Sequence, residues 1–214
     1  MIKTKHTGYL IIISGPSGAG KGTICSELLK RNKNLVESLS MTTRAPRGKE
    51  VEGVDYNYVS RDFFEEKIKE DYFLEYAIVH SNEYYGTPKE EVEKKLEEGY
   101  SVILEIDIQG ALAIKEKVKN ALYIFILPPS MEELKRRLIN RGTETEEKIL
   151  SRFKKAYQEI NEISKYNYVV VNDVLEDAVK KVEAILTAES SRVDRIEELD
   201  LGTTEELVHE DLLK

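Results

Sequence analysis

The sequence contains little cysteine and no long apolar run, and each absence excludes a class of protein. Cys25 is the single cysteine among the 214 residues, so no internal disulfide can form, and buried packing is its expected role. The apolar run near the start of the chain, residues 9–13, is too short for a signal peptide or a membrane span. We therefore expect a cytoplasmic protein with no membrane partner.

The chain also lacks an excess of positive charge. Its formal net charge is −8 at pH 7, which argues against nucleic acid or an anionic membrane as a partner. An anionic ligand would have to be held by local arginines against this overall field. The 41% hydrophobic and 34% charged content indicates a soluble globular chain, and the length fits one core with insertions. Nothing in the pattern fixes the oligomeric state, and self-association is left open.

A glycine-rich turn follows the apolar run 9–13 and precedes a predicted helix over 23–31. Glycines let backbone N–H groups surround a phosphate, the helix N-terminus adds free N–H groups, and Lys21 supplies a mobile cation. This spacing predicts a P-loop that binds ATP, and the alternative is a surface turn with an incidental lysine. The predicted ATP-binding residues of the turn are Gly15, Pro16, Ser17, Gly18, Ala19, Gly20, Lys21, Gly22 and Thr23.

One position of this P-loop departs from the usual pattern. The residue after the lysine is ordinarily Ser or Thr, whose hydroxyl holds Mg²⁺, and here it is Gly22. Thr23 lies one place later. We therefore expect no direct side-chain ligand for Mg²⁺, which would be held mainly by the ATP phosphates and water.

Strands and helices alternate along most of the chain. This order predicts an α/β fold: a parallel five-stranded P-loop sheet flanked by helices, with an inserted mixed α+β acceptor-binding region and a helical lid. The further predicted strands are 100–107, 121–127 and 168–171, and the helices after them are 108–118, 130–140 and 174–188.

Two regions interrupt the alternation, and both follow carboxyl ends of strands, where α/β sheets bind ligands. We assign residues 40–89 as the acceptor-binding insertion and 130–157 as the lid. The core then comprises 1–39, 90–129 and 158–189. Residues 190–214 are predicted to form a helical tail.

The insertion carries groups suited to an acceptor phosphate. Arg44 and Arg47 lie three residues apart in one loop, and arginine forks capture phosphate oxygens. Tyr56 and Tyr85 can each donate a phenolic hydrogen bond to the same phosphate. Read separately, the arginines could lie on a solvated loop, and the tyrosines could belong to the core and its rim.

A base-reading group is predicted from the same region. Glu75 lies among apolar residues, and its carboxylate matches the adjacent N1–H and 2-amino donors of guanine. Thr87 or Ser40 could donate to guanine O6. By itself, Glu75 could equally cap a helix or form a salt bridge.

The lid contributes two arginines. A capping box formed by Thr143 and Glu146 predicts that a helix starts between Arg141 and Arg152. We expect both arginines to reach the transferring phosphoryl group when the lid closes and expels water. The alternative is that they are helix-surface charges paired with Glu146 or Glu159.

Several motifs together resemble the guanylate kinase family, in order from about residue 9 to 188. They are 42–47 (TTRAPR), 53–56 (GVDY), 84–87 (YYGT), 105–110 (EIDIQG) and 141–147 (RGTETEE). The resemblance implies transfer of the γ-phosphoryl group of ATP to GMP, giving ADP and GDP with Mg²⁺, in purine nucleotide metabolism.

The resemblance also distributes the site residues. GMP binding falls on Ser40, Arg44, Arg47, Tyr56, Glu75, Tyr85, Thr87, Glu105 and Asp107, the last two beneath the base and near the metal. Independently of the resemblance, the charge that phosphoryl transfer must neutralise predicts Lys21, Arg47, Arg141 and Arg152 as the catalytic residues. Arg137 and Asn172 join the ATP-binding residues. Solvent exposure is the alternative for Arg137, and a turn or helix cap is the alternative for Asn172.

Two other functions are consistent with parts of this pattern. One is a catalytically dead binding module that uses the acceptor site for phosphopeptides, although Lys21, Gly15 and Gly20 favour an active P-loop. The other is a kinase for a different monophosphate or a small phosphorylated sugar. The carboxylate of Glu75 with the hydroxyls of Ser40 and Thr87 favours guanine.

Overall fold

The structure is a computed structural model that describes residues 3–6, 8–48, 50–79, 82–140 and 146–200. Its strands are β1 (Lys3–His6), β2 (Leu10–Ser14), β3 (Leu35–Glu37), β4 (Met41–Thr42), β5 (Asn57–Tyr58), β6 (Phe73–Val79), β7 (Glu83–Pro88), β8 (Ser101–Glu105), β9 (Leu122–Leu127), β10 (Tyr168–Val171) and β11 (Ile196–Asp200). Its α-helices are α1 (Lys21–Arg31), α2 (Arg61–Lys69), α3 (Lys89–Glu97), α4 (Ile108–Lys117), α5 (Met131–Asn140), α6 (Glu146–Ile160) and α7 (Leu175–Ser190).

A parallel sheet of five strands, in the order β10-β9-β2-β8-β3, forms the centre of the fold. Every residue of β2 is buried, because helices cover both faces of the sheet. Ile11 and Ile13 pack toward α1 and α7, whereas Leu10 and Ile12 pack toward α3 and α4. The prediction of a five-stranded parallel sheet flanked by helices is confirmed, and β3 supplies the strand that the sequence pattern did not locate.

The insertion contains a separate mixed sheet of four strands, in the order β5-β4-β7-β6. Its small core stacks Phe64 of α2 on Phe73, with ring centroids 4.3 Å apart. The mixed α+β character predicted for this region is therefore confirmed. The described part of the lid consists of α5 and α6, which pack through Leu134, Leu138 and Ala156.

The tail differs from its prediction. After α7, residues Val193–Arg195 form a short 3-10 helix, and β11 then pairs antiparallel with β1. The helix predicted over 190–214 is therefore wrong for residues 193–200, where the backbone forms a 3-10 turn and then a strand that pairs with β1. Residues 201–214 lie outside the described residues. Among the helices that the structure describes, none has the length and apolar character needed to span a bilayer.

Candidate active site

A cleft of about 440 Å³ lies where the P-loop, the insertion and helix α6 meet. It contains most of the predicted site residues and five that the sequence did not single out for the site: Glu50, Ala77, Ile106, Lys155 and Glu159. The predicted residues that line it are Gly15, Ser17, Gly18, Gly20, Lys21, Gly22, Thr23, Ser40, Arg44, Arg47, Tyr56, Glu75, Tyr85, Glu105 and Asp107. Predicted donor and acceptor groups thus face one shared space.

The P-loop has the backbone that its glycines predict. Gly15 has φ of 144°, and a Cβ there would lie 2.2 Å from the Ile126 carbonyl oxygen, so only glycine fits. Gly20 has φ of 89° and leads directly into α1. The Lys21 ammonium donates to the Gly15 carbonyl at 2.8 Å. Its charge therefore stands at the loop whose N–H groups would surround phosphates.

Two predicted ATP-binding side chains support the P-loop through hydrogen bonds. The buried Asn172 amide donates to the Ala19 carbonyl at 2.8 Å, and the Arg137 guanidinium donates to the Asn172 carbonyl at 3.0 Å. Glu133 holds Arg137 through a 2.7 Å hydrogen bond. Neither Arg137 nor Asn172 is among the residues that line the cleft. Their contact with the nucleotide stays a prediction, whereas their contact with the loop is direct.

Two carboxylates line the cleft close together in sequence, Glu105 at the end of β8 and Asp107 at the N-terminus of α4. A Cβ on Gly22 would lie 3.0 Å from the Glu105 carboxylate, so the absent side chain leaves room for that group. Asp107 caps α4 by accepting from the Gly110 N–H at 2.9 Å, and its second oxygen is buried without a hydrogen-bond partner among the described residues.

These carboxylates fit a magnesium–nucleotide complex. Mg²⁺ usually keeps several waters and binds through one or two carboxylates plus substrate phosphates. Within the described part of the chain, no cluster of three or more His, Cys, Asp and Glu side chains could hold a metal by itself. Glu105 and Asp107 both line the cleft, where they could supply such carboxylates.

Arg44 is the centre of the predicted acceptor-phosphate pocket, and its fork is already paired. The side chain is 7% exposed, and its two terminal nitrogens donate to the Glu50 carboxylate at 2.6 and 2.8 Å. Glu50 also accepts from the Arg47 N–H and the Tyr58 hydroxyl, each at 2.8 Å. The hydrogen bonds from Arg44 are the main cause that lowers the pKa of Glu50 to about 2.

The remaining donors of this pocket are arranged by Arg44. Its Nε donates to the Tyr85 hydroxyl oxygen at 2.8 Å, which leaves the hydroxyl hydrogen of Tyr85 for another acceptor. The guanidinium carbon lies 4.8 Å from the centroid of the Tyr56 ring. Burial raises the pKa of Tyr56 to about 12, so its hydroxyl remains a donor at neutral pH. Arg47 is exposed at the rim and keeps its side chain on the cleft.

Glu75 is buried beneath the cleft, with 5% of its surface exposed. It lies opposite Thr87 in the β6–β7 pair, and the Thr87 hydroxyl donates to it at 2.8 Å. Burial raises the pKa of Glu75 to about 7, against the lowering effect of Thr87. A Cβ on Gly110 would lie 2.6 Å from its carboxylate, so glycine at 110 leaves Glu75 its place.

Thr87 was predicted among the GMP-binding residues, and its contact with GMP stays a prediction. Its hydroxyl is buried against Glu75 and does not line the cleft, whereas Ser40 does. Thr87 thus acts on the site through Glu75.

The described part of the lid contributes two residues of α6 to the lining of the cleft. Arg152 is half-buried on α6 and is not among the lining residues, whereas Lys155 and Glu159 of the same helix are. Arg141 and the capping threonine Thr143 lie outside the described residues. A sequence signal for Lys155 and Glu159 existed in their spacing from Arg152, which puts all three on one helical face.

The fold and the cleft define a P-loop protein with two anion sites in one cleft. One is a nucleoside-triphosphate site, and the other contains arginine. A family model described as "Guanylate kinase" matches residues 7–189. A guanylate kinase of Clostridium tetani is 60% identical over 205 residues, covering 96% of this chain and 98% of that protein. One from Clostridium perfringens is 59% identical over 211 residues, covering 99% and 97%.

Solved structures agree with these sequence relationships. The crystal structure of guanylate kinase from Anaplasma phagocytophilum is similar with a TM-score of 0.76 and 34% identity, covering 91% of this chain and 92% of that one. The chain belongs to the guanylate kinase family.

Proposed function

We propose that this chain is an ATP:GMP phosphotransferase that moves the γ-phosphoryl group of ATP to the phosphate of GMP, giving ADP and GDP. The observation that carries the proposal is the pairing, in one cleft, of a P-loop with a buried carboxylate and an arginine–tyrosine pocket. Glu75 suits the two adjacent donors of guanine, and the pocket around Arg44 suits a phosphate ester. Relatives of nearly full length support the same activity.

The chain's own residues would act by positioning and by charge. Phosphoryl transfer needs the two phosphates in line and the developing charge neutralised, with little covalent participation by the protein. Lys21 would hold the β- and γ-phosphates, while Arg47, Tyr56 and Tyr85 would fix the GMP phosphate. Arg141 and Arg152 are proposed to complete the charge neutralisation when the lid closes.

Mg²⁺ is proposed to arrive with ATP, and it would polarise the phosphates when bound. Glu105 and Asp107 would hold its water ligands, because both line the cleft and Glu105 lies next to Gly22 of the P-loop. A cytoplasmic place in purine nucleotide metabolism agrees with the single free cysteine and the net charge of −8.

The test is ADP release measured with AMP, CMP, UMP, dTMP, GMP and IMP as acceptors. We expect GMP to be the best substrate. IMP should be weaker because it lacks the 2-amino group and leaves one lone pair of Glu75 unmatched. Lys21→Met serves as the inactive control. A folded protein that releases no ADP with any acceptor would indicate a binding module, and preference for another monophosphate would overturn the assignment to guanine.

A further inference from the structure

The charges that line the cleft do not favour anions. Five carboxylates face it, against four cations: Lys21, Arg44, Arg47 and Lys155. Glu50 neutralises Arg44 through a bidentate pair. Among the described lining residues, the cations besides Arg44 are therefore Lys21, Arg47 and Lys155. When two phosphate-rich substrates enter the cleft, each of these three cations would be needed to neutralise phosphate charge.

Lys155 reaches the cleft because of how α6 packs. Ile149, Phe153 and Ala156 turn the apolar side of the helix toward Leu134 and Leu138 of α5. The helical periodicity then directs Lys155 and Glu159, one turn apart, to the cleft. Lys155 therefore faces the substrate space from the lid, whereas Lys21 faces it from the P-loop.

Glu159 keeps Lys155 near the place of transfer. The Lys155 ammonium lies 3.6 Å from the Glu159 carboxylate, longer than a hydrogen bond, and the two side chains are 32% and 15% exposed. Such a loose pair restrains the ammonium without saturating its three donors. The pKa of Glu159 is raised by burial, and both Lys21 and Asp107 act on its charge. The pair therefore lies within electrostatic reach of the P-loop lysine and of Asp107 at the N-terminus of α4.

We propose that Lys155 is a further catalytic residue, which binds the transferring phosphoryl group from the lid side, and that Glu159 positions it. The inference rests on the proposed function. In the transfer, the bond between the γ-phosphorus and the β–γ bridging oxygen breaks, and a bond from a GMP phosphate oxygen to that phosphorus forms. The Lys155 ammonium neutralises charge as it spreads over the equatorial oxygens.

The experiment compares adjacent lysines. Lys155→Gln and Lys154→Gln remove the same charge from the same helix, but Lys154 is exposed and does not line the cleft. With ATP and GMP varied separately, we expect Lys155→Gln to lower kcat about tenfold or more with KM for either nucleotide changed by less than about threefold. Lys154→Gln should match the unchanged protein, and Lys155→Arg should recover part of the lost kcat.

A second readout separates a contact made during transfer from a general loosening of the lid. A ligand that joins adenosine and guanosine through five phosphates spans both sites, and its affinity should fall in Lys155→Gln more than the affinities of ADP and GMP measured singly. Thermal melts confirm folding, and Lys155→Met, which keeps the apolar stem, replaces the glutamine variant if that variant unfolds.

The outcomes distinguish the two proposals. If the unchanged protein does not phosphorylate GMP, the proposed function is wrong. If it does so and Lys155→Gln behaves like Lys154→Gln, the assignment of Lys155 alone is overturned. An effect confined to KM would also overturn it, because the contact would then exist equally in the ground state.

Discussion

At the scale of single residues, the burial of Glu75, the group proposed to bind guanine, opposes its own ionisation. Burial favours the neutral carboxyl and raises its pKa to about 7. Guanine recognition needs the ionised form, since only that form accepts from both guanine donors. The ionised fraction therefore changes most steeply near neutral pH.

The first prediction concerns this pH dependence. We expect kcat/KM for GMP to rise as pH increases through about 7 and to level off above it, since deprotonation of Glu75 creates the acceptor. In Glu75→Gln this step should vanish and GMP use should fall strongly, while KM for ATP stays close to its original value. The phosphate of GMP titrates near pH 6 and its step should persist in both proteins. A step near pH 7 that survives in Glu75→Gln would contradict the role of this carboxylate.

Glu50 presents the opposite case, an ionised carboxylate whose function is to hold a cation. It fixes Arg44, and Arg44 in turn orients the hydroxyl of Tyr85. Glu50→Gln breaks the bidentate pair, so we expect KM for GMP to rise roughly tenfold with kcat nearly unchanged. Glu52→Gln is the matched control from the exposed part of the same loop. A lower KM in Glu50→Gln would mean instead that Glu50 competes with the phosphate for Arg44.

At the scale of elements, the P-loop depends on a residue distant in sequence. Asn172 follows β10, yet its side-chain amide donates a hydrogen bond to the Ala19 carbonyl. A Cβ on Gly20 would lie 2.3 Å from the nitrogen of that amide, so the loop and Asn172 are in close contact. Replacement of Asn172 by Ala leaves a buried carbonyl poorly paired, which costs about 1–3 kcal/mol of stability. Without this hydrogen bond, we also expect the P-loop to hold its phosphate-binding conformation less tightly.

The corresponding experiment uses two ligands. We expect Asn172→Ala to weaken binding of ATP and of inorganic tripolyphosphate by similar factors, because the loop holds phosphates and not the base. Asp173→Ala, at the exposed neighbour, should bind both normally. A loss restricted to ATP would instead identify Asn172 as a contact of the adenosine part of ATP.

At the scale of the whole molecule, a buried ion pair ties the last described segment to the central sheet. Arg195 donates to Glu189 at 2.8 Å, and its guanidinium carbon lies 3.9 Å from the centroid of the Tyr9 ring. Glu189 also accepts from the Tyr168 hydroxyl at 2.8 Å. These residues connect α7, β10 and the approach to β2.

Removing one partner of this pair should be costly. Arg195→Met leaves the Glu189 carboxylate buried, and we expect a loss of about 3–5 kcal/mol in the free energy of unfolding. Arg192→Met removes the 2.7 Å pair with the exposed Asp194 and only a longer contact, 3.5 Å, with Glu189, so it should cost much less. Urea unfolding measures both, and kcat at a permissive temperature should stay unchanged. Equal losses in the two variants would refute the special role of Arg195.

The parts of this molecule that sequence predicts are those encoded by neighbouring residues. The P-loop follows from a strand, a glycine spacing and a helix start that are contiguous, so its backbone could be expected in detail. Glu50 and Thr87 could not be assigned in the same way. Their roles depend on a loop that folds back on Arg44 and on the β6–β7 register, neither of which has a periodic signal. The tail failed because an apolar spacing compatible with a helix was used by a strand pairing with residues 3–6.

The pairing of β1 with β11 also affects the order in which the chain folds. Lys3 lies opposite Asp200, so this two-stranded ribbon closes a loop of nearly the entire chain, whereas β2 meets β8 and β9 at much shorter separations. Closing the longer loop carries the larger entropic cost. During synthesis the first strand leaves the ribosome long before its partner exists, and it must wait, unpaired, while the nucleotide-binding sheet assembles beside it. We therefore expect the β1–β11 pair to form after the central sheet.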